Sequence, residues 1–349
     1  MRIAVLSTAR LRALIFALLL LVVAVAVSAC GSSSSSSSTS AASGARLQNI
    51  RISLDYTANV DYLGIYAAKA NGYFTKHGVS PTIIPYAETP AETLIQSGKT
   101  DLGISYPPQL IISRSQGLKY KAVAALVSAD TTALAVLANS GITSPAQLSG
   151  KLYGGFGLTG DAPTIKAIMK AAGAPSPRFR EVVLNTDALQ ALAAHRVDYT
   201  AVFEGTYAGE LPKGVKLRLF PYSKYLGQPG NFPNAVYVAS DHEIETHGAV
   251  LKATLAALAE GYEWAAAHPQ AAGQILVREN ETSLGSSQKI IAEESAAIAP
   301  RFLDASGAWG PLDGATFTGL AKILGEGGVV HGAVPTESEL LTNDLLPSG

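Results

Sequence analysis

Beyond residue 47 the apolar positions switch between the alternating spacing of strands and the spacing of amphipathic helices. Residues 50–54 alternate apolar and polar, and 82–84, 102–105 and 122–127 read as further strands. Helical spacing occupies 62–70, stopped at Asn71-Gly72, and 109–116, closed by Gly117. Thr89-Pro90-Ala91-Glu92 has the form of a capping box with proline at the first helical position, so a helix is expected from there to Ser97-Gly98. The succession then returns. Strands are predicted at 134–138, 153–156, 182–184 and 199–203, helices at 164–172 and 188–194, and a second capping box at Ser144-Pro145-Ala146-Gln147. A lone strand at 235–239 follows a Gly- and Pro-rich loop over 227–233, and the remainder is helical with breaks at Pro269, Pro300 and Gly325. This alternation predicts an α/β fold of parallel sheet flanked by helices.

Two helix-to-strand units are alike. Ile95-Gln96-Ser97-Gly98-Lys99-Thr100-Asp101 leads into the strand that ends at Tyr106, and Leu192-Ala193-Ala194-His195-Arg196-Val197-Asp198 into the strand that ends at Glu204. Each reads helix, stop, basic residue, any residue, Asp, strand. The likeness predicts two lobes of related design. Ligands of open α/β sheets sit at the carboxyl ends of strands, so Tyr106 and Glu204 are expected at a shared cleft. Tyr56 and Tyr86 also fall at or just past strand ends, and Tyr207 lies one turn after Glu204. A buried tyrosine needs a partner for its hydroxyl. The set therefore points to a flat aromatic ligand, stacked on rings and hydrogen-bonded at its edges.

Gly155-Phe156-Gly157-Leu158-Thr159-Gly160 matches G-x-G-x-x-G between a predicted strand and helix. The acid that a dinucleotide site needs at a strand end about 20 residues on is missing, since Glu181 comes early and Asn185 holds the end. The segment reads instead as a tight glycine turn that brings Phe156, Gly157 and Asp161 to the cleft. Asp161 is expected as the helix N-cap, with backbone N–H groups free for a polar or anionic ligand group. Gly98-Lys99-Thr100 lacks the first glycine of a P-loop, its place being held by Thr93. His242 and His247 stand five residues apart, about 140° around a helix, and cannot share a metal.

The first thirty residues change the picture. Arg2, Arg10 and Arg12 precede an uncharged apolar run over 13–27. That run is shorter than the ~20 residues of a spanning helix, and its flanks are those of a secretory signal peptide. Val27-Ser28-Ala29-Cys30 resembles the lipobox of bacterial lipoproteins, in which the cysteine is lipidated and becomes the mature N-terminus. Gly31, seven serines and a further Ser/Ala/Thr/Gly stretch to residue 44 form a flexible tether of roughly 20 Å r.m.s. reach. The expected division is a signal peptide over 1–29, the lipidated Cys30 and linker over 30–46, and a folded body held at the outer face of the cell membrane.

The 349 residues carry 26 Lys+Arg against 27 Asp+Glu. Without the first 29 residues, which hold three arginines and no acids, the net charge moves from −1 to −4. Neither value offers the basic footprint of a nucleic-acid binder. The single cysteine excludes an internal disulfide and a Cys-based zinc site. No cofactor, no metal and a monomeric body are expected.

Several motifs of the body resemble a known family. Leu54-Asp55-Tyr56-Thr57-Ala58-Asn59, Gly64-Ile65-Tyr66-Ala67-Ala68-Lys69 and Gly72-Tyr73-Phe74 resemble the opening of the periplasmic-binding-protein-like family that includes thiamine pyrimidine-precursor binding proteins. The likeness continues through 98–106, Ser140-Gly141-Ile142, Trp309-Gly310 and the closing Thr342-Asn343-Asp344-Leu345-Leu346-Pro347. The resemblance implies a type II two-lobed fold, with lobe 1 over 47–135 and 236–349, lobe 2 over 136–235, and the strands at 134–138 and 235–239 supplying the two crossings. It also implies delivery of a small solute to an ABC permease rather than catalysis. By resemblance the ring would meet Tyr56, Asn59 and Glu204, with Tyr62 where relatives often carry histidine; from their places at the strand ends, Tyr106 and Tyr207 are expected to close the cleft around it. Tyr at 56 replaces the family's usual Trp, and Ala58 its Pro. Riboflavin, sulfonate and nitrate binders look similar. So do fungal enzymes that make the pyrimidine with a histidine in the early motif and a cysteine-rich iron site, neither of which this chain repeats.

Overall fold

The computed structural model describes residues 47–87, 89–128, 132–184, 187–203 and 211–347. The expected signal peptide, Cys30 and linker lie outside the described residues, as do Glu204 and Tyr207.

The chain builds one sheet, leaves it for a second, and returns. Strands β1 (Gln48–Ser53), β2 (Val79–Ile84), β3 (Leu102–Ser105) and β4 (Tyr120–Ala125) come first. Strands β5 (Thr132–Leu137), β6 (Leu152–Gly155), β7 (Arg180–Val183), β8 (Tyr199–Phe203) and β9 (Leu217–Pro221) follow, and β10 (Val236–Ser240) closes the series. The first sheet has the order β2-β1-β3-β10-β4 and the second β7-β6-β8-β5-β9. Position by position these orders correspond, so the two lobes share one topology. The helices of eight residues or more are α1 (Leu63–Ala70), α2 (Pro107–Ser115), α3 (Asp161–Ala171), α4 (Asp241–Ala267), α5 (Pro269–Glu279), α6 (Gln288–Ile298) and α7 (Gly314–Glu326).

The sheets are mixed rather than wholly parallel. Strands β1, β2 and β3 run parallel, as do β6, β7 and β8. The exceptions are the two strands that arrive from the other lobe: β5 is antiparallel to β8 and β9, and β10 to β3 and β4. A strand that enters a sheet from the cleft side runs against strands that end there. The whole of β5 lies in the second sheet, so the chain crosses between Ala125 and Thr132, before the boundary expected at 135, and crosses back between β9 and β10. Strand β9 was not expected from the pattern.

The repeated Lys/Arg-x-Asp unit serves this topology. Asp101 Oδ2 accepts the backbone N–H of Arg51 at 2.7 Å, and Asp198 Oδ2 accepts that of Leu152 at 2.8 Å. In each lobe the aspartate ties the approach to one central strand to its parallel neighbour, and so sets where that strand ends at the cleft. The second capping box forms as expected, over the short 3-10 turn Pro145–Leu148. The first does not. Pro90 is the N-cap of Ala91–Gln96 with no side-chain cap bond, and Glu92 turns inward to accept the hydroxyl of Ser105.

Helix α1 packs tightly on α4. A Cβ at Gly64 would lie 2.2 Å from the Tyr262 ring, and one at Gly261 would lie 2.2 Å from the Gly64 carbonyl. Helix α7 packs against both α2 of the first lobe and α3 of the second. One apolar core accordingly draws Leu110 and Ile112 from the first lobe, Ile165 and Ile168 from the second, and Phe317 and Leu320 from α7.

Candidate functional site

The carboxyl ends of β1 and β3 and the segment after β1 meet the second lobe around a cavity of ≈ 370 Å³. That volume falls in the ~300–1,000 Å³ range of small-molecule sites. Its first-lobe wall is Asp55, Tyr56, Thr57, Ala58, Asn59, Asp61, Tyr62, Tyr86 and Tyr106. Phe156, Leu158, Leu189, Ala201, Val202 and Phe203 form the opposing wall, Leu126, Asn234 and Ala235 belong to the two crossings, and Leu284 to Glu294 contribute from α6 and the turn before it. A smaller annexe of ≈ 50 Å³ shares Tyr106, Phe156, Phe203 and Asn234 and adds Asp161 and Tyr222.

Six of the residues expected at the site are thus brought together: Tyr56, Asn59, Tyr62, Tyr86, Tyr106 and Phe156. The aromatic rings are organised in pairs. Tyr56 and Tyr86 stand 5.8 Å apart between centroids, tilted by 35°. Tyr106 faces Phe203 from the other lobe at 6.5 Å with planes only 11° from parallel. That pair joins the lobes across the cleft.

Tyr62 and Asn59 prove to be wall-builders. The Tyr62 side chain is 1% exposed; its hydroxyl donates to Asp55 Oδ1 at 2.9 Å, while the Tyr106 hydroxyl donates to Asp55 Oδ2 at 2.6 Å. Burial raises the Asp55 carboxyl, and the two tyrosine hydroxyls oppose that rise. Burial and the neighbouring Asp55 push both phenols well above their ordinary value. Asn59 caps the 3-10 turn Val60–Tyr62, with Oδ1 accepting the Asp61 N–H at 2.8 Å and Nδ2 donating to the Thr57 carbonyl at 3.1 Å.

The glycine turn behaves differently from expectation. Gly157 has φ +76°, and its backbone hydrogen-bonds the Glu181 carboxylate, so this turn already holds a protein anion. Gly157 is exposed and does not line either cavity, although Phe156 and Leu158 beside it do. Asp161 is the first residue of α3 and not its N-cap, which is Gly160. Its carboxylate accepts the Tyr153 hydroxyl at 3.0 Å and lines the annexe. Burial, with Glu181 adding repulsion, pushes Asp161 up to about 7.

Four carboxylate or amide residues of the main cavity were missed by sequence reasoning: Asp55, Asp61, Asn234 and Glu294. Asp55 was legible within the Leu54-Asp55-Tyr56 motif; the other three carried no motif. Burial, then repulsion from Asp55 and Glu294, pushes Asp61 up to about 7. Behind it, the Tyr262 hydroxyl donates to the Asp61 carbonyl at 3.0 Å and meets the Tyr237 hydroxyl at 3.1 Å. Tyr262 in turn stacks on Trp309 at 4.9 Å, and Trp309 Nε1 donates to the Leu126 carbonyl at 3.1 Å. The Trp309 motif therefore supports the first crossing from inside the core. Among the described lining residues of the main cavity there is no Lys, Arg or His. Among the described residues no group of three or more His, Cys, Asp or Glu is placed to hold a metal ion.

A sequence family described as NMT1/THI5 like matches residues 59–272, from the capping Asn59 through both sheets and into α5. The chain belongs to the NMT1/THI5-like family. Within reach of that family, the chain is 27% identical over 274 residues to the formylaminopyrimidine-binding protein of Halalkalibacterium halodurans, covering 76% of this chain and 82% of that one. It is 26% identical over 232 residues to a 4-amino-5-hydroxymethyl-2-methylpyrimidine phosphate synthase of Uromyces fabae, covering 63% of this chain and 68% of that one. Its fold is that of periplasmic solute-binding proteins. The periplasmic aliphatic sulphonate binding protein SsuA from Escherichia coli superposes with a TM-score of 0.65 at 18% identity, over 84% of this chain and 97% of that chain.

Proposed function

We propose that the chain is the extracytoplasmic solute receptor of an ABC importer and that its solute is a thiamine-type pyrimidine precursor of the formylaminopyrimidine or hydroxymethylpyrimidine kind. The observation that carries this reading is the make-up of the cleft: tyrosine faces on one lobe and phenylalanine faces on the other, buried carboxylate and amide acceptors in its wall, and no cationic side chain among the described lining residues. Aromatic faces stack a planar ring, and acceptors bond its amino edge, more strongly when the acceptor is ionised. A sulfonate or nitrate needs donors and favours a cation, which makes the sulphonate binder a relative in fold and not in solute. The formylaminopyrimidine-binding relative supports a receptor over a synthase.

Glu204 and Tyr207 complete the second-lobe wall in this reading. Lipidated Cys30 anchors the body, with lobe 1 up to the first crossing and again from β10 onward, and lobe 2 between the crossings. Titration calorimetry with hydroxymethylpyrimidine, formylaminopyrimidine, riboflavin, an alkanesulfonate and nitrate tests the solute. Micromolar or tighter binding confined to the pyrimidines is expected; a preference for any other member removes the proposed solute. Formation of the pyrimidine from pyridoxal phosphate by the pure protein would reinstate the enzyme. Cys30→Ser is expected to move the protein from the membrane fraction to the soluble fraction.

A further inference from the structure

Two side-chain acceptors of residues on the cavity wall are buried and have no donor among the described residues. Asp61 Oδ1 is one. It stands on the 3-10 turn after β1, with Asn59 and Tyr262 engaged only by the Asp61 backbone. Asn234 Oδ1 is the other. Asn234 sits just before β10 on the returning crossing, is 4% exposed, and lines both the main cavity and the annexe. A buried acceptor left unpaired costs about 1–3 kcal/mol, and such atoms are rare in folded proteins. Both residues line one cavity, so one occupant can reach both side chains.

The carboxylates around Asp61 sharpen the requirement. Asp55 is already saturated by the Tyr62 and Tyr106 hydroxyls. Glu294, 8% exposed on α6, faces Asp61 closely enough to repel it. The described lining residues supply no positive charge to this group. A solute group with an acceptor or a negative charge would add repulsion; a solute N–H relieves it.

We propose that Asp61 and Asn234 are the specificity-determining pair of the cleft, which selects a heterocycle presenting N–H or O–H donors at two separate edges. Asp61 takes an exocyclic amine, and Asn234 takes a second donor, N–H or O–H, on the part of the solute nearest the crossings. This inference rests on the solute class proposed above and deepens it. It distinguishes 4-aminopyrimidines, whose amine is a donor, from 4-oxopyrimidines, which place an acceptor at the same position.

The test measures, at pH 8, where the Asp61 carboxyl raised to about 7 is ionised, the affinity of hydroxymethylpyrimidine and of its 4-oxo analogue for the wild type, Asp61→Asn, Asp61→Leu and Asn234→Leu. Melting curves confirm that each variant folds. The wild type is expected to prefer the amino form at least tenfold. Asp61→Leu is expected to abolish that preference, and Asp61→Asn, whose amide can donate, to narrow or reverse it. Asn234→Leu is expected to lose at least fivefold for the amino form. An amino/oxo ratio that stays within twofold of wild type in both Asp61 variants overturns the inference while the pyrimidine solute stands. If the wild type binds neither pyrimidine, the solute reading fails. The inference then survives only if Asp61→Leu weakens binding of riboflavin at least fivefold, and it falls if riboflavin binding is unchanged or absent.

Discussion

Asp55 is the acceptor on which two cleft tyrosines converge, and its removal has a calculable cost. In Asp55→Ala, the Tyr62 hydroxyl loses a 2.9 Å bond and the Tyr106 hydroxyl a 2.6 Å bond. Tyr62 is almost wholly buried, and its hydroxyl is left with only a long 3.4 Å bond to the Tyr56 carbonyl, a loss of about 1–2 kcal/mol. Tyr106 is partly exposed to the cleft and can turn to solvent, losing about 0.5–1 kcal/mol. Relief from burying the carboxyl offsets part of this. A net loss of about 2 kcal/mol is expected. For roughly 300 ordered residues at ~2 cal/mol/K each, that lowers Tm by about 3 °C. A double-mutant cycle separates this account from a simple cavity. In the Tyr106→Phe background one hydroxyl is already gone, so Asp55→Ala should cost about 0.5–1 kcal/mol less, a coupling of the size that contacting residues show. Chemical denaturation of the four proteins measures it. Costs that add within 0.3 kcal/mol would refute the reasoning, because they would mean that the carboxyl does not hold the Tyr106 ring.

Gly64→Ala would place a Cβ 2.2–2.4 Å from three atoms of the Tyr262 ring. Overpacking of that kind costs about 1–3 kcal/mol, and a Tm drop of several degrees with weakened solute binding is expected, because Tyr262 also supports Asp61; an unchanged Tm would show that α1 and α4 are not so closely apposed. Asp61 and Asp161, both raised to about 7 in the fold, hold protons that the unfolded chain releases near 4. Stability of the solute-free protein should therefore fall as pH rises from about 4 to about 7, by up to a few kcal/mol, and level off above. The lowered carboxyls Asp304, Asp313 and Glu339 act below that window. Melting curves at pH 5 and pH 8 check the sign, and Asp61→Asn should flatten the slope; a Tm that climbs with pH would contradict it.

Much of the fold was legible because its signals are local. The alternating apolar pattern located nine of the strands, and the shared Lys/Arg-x-Asp unit announced two lobes of one design before either was seen. The aspartates of that unit bond the neighbouring strands, a role that the spacing alone does not reveal. Strand β9 escaped notice because Leu217–Pro221 carries a charged residue and ends in proline, and is read as a strand only once β5 lies beside it. The first capping box failed for a tertiary reason, since the hydroxyl of Ser105 on β3 competes for Glu92.

The aromatic part of the site followed from sequence, because strand ends in an open sheet converge on a cleft whatever else the chain does. Tyr56, Tyr86 and Tyr106 are placed by that rule alone. The polar part did not. Asp61, Asn234 and Glu294 come from a turn, a crossing and a late helix more than fifty residues from the nearest of the others, and only packing makes them neighbours. Their chemistry is likewise a tertiary product. An aspartate in an exposed turn is an ordinary acid, and Asp61 becomes a raised, unpartnered acceptor because the fold buries it and brings Asp55 and, from α6, Glu294 near it. The sequence by itself determined the elements, the lobes and the ring-bearing walls, since each depends on spacing along the chain. The tertiary structure alone decided which acceptors face the cavity without donors, because donor pairing and burial depend on distances across the fold.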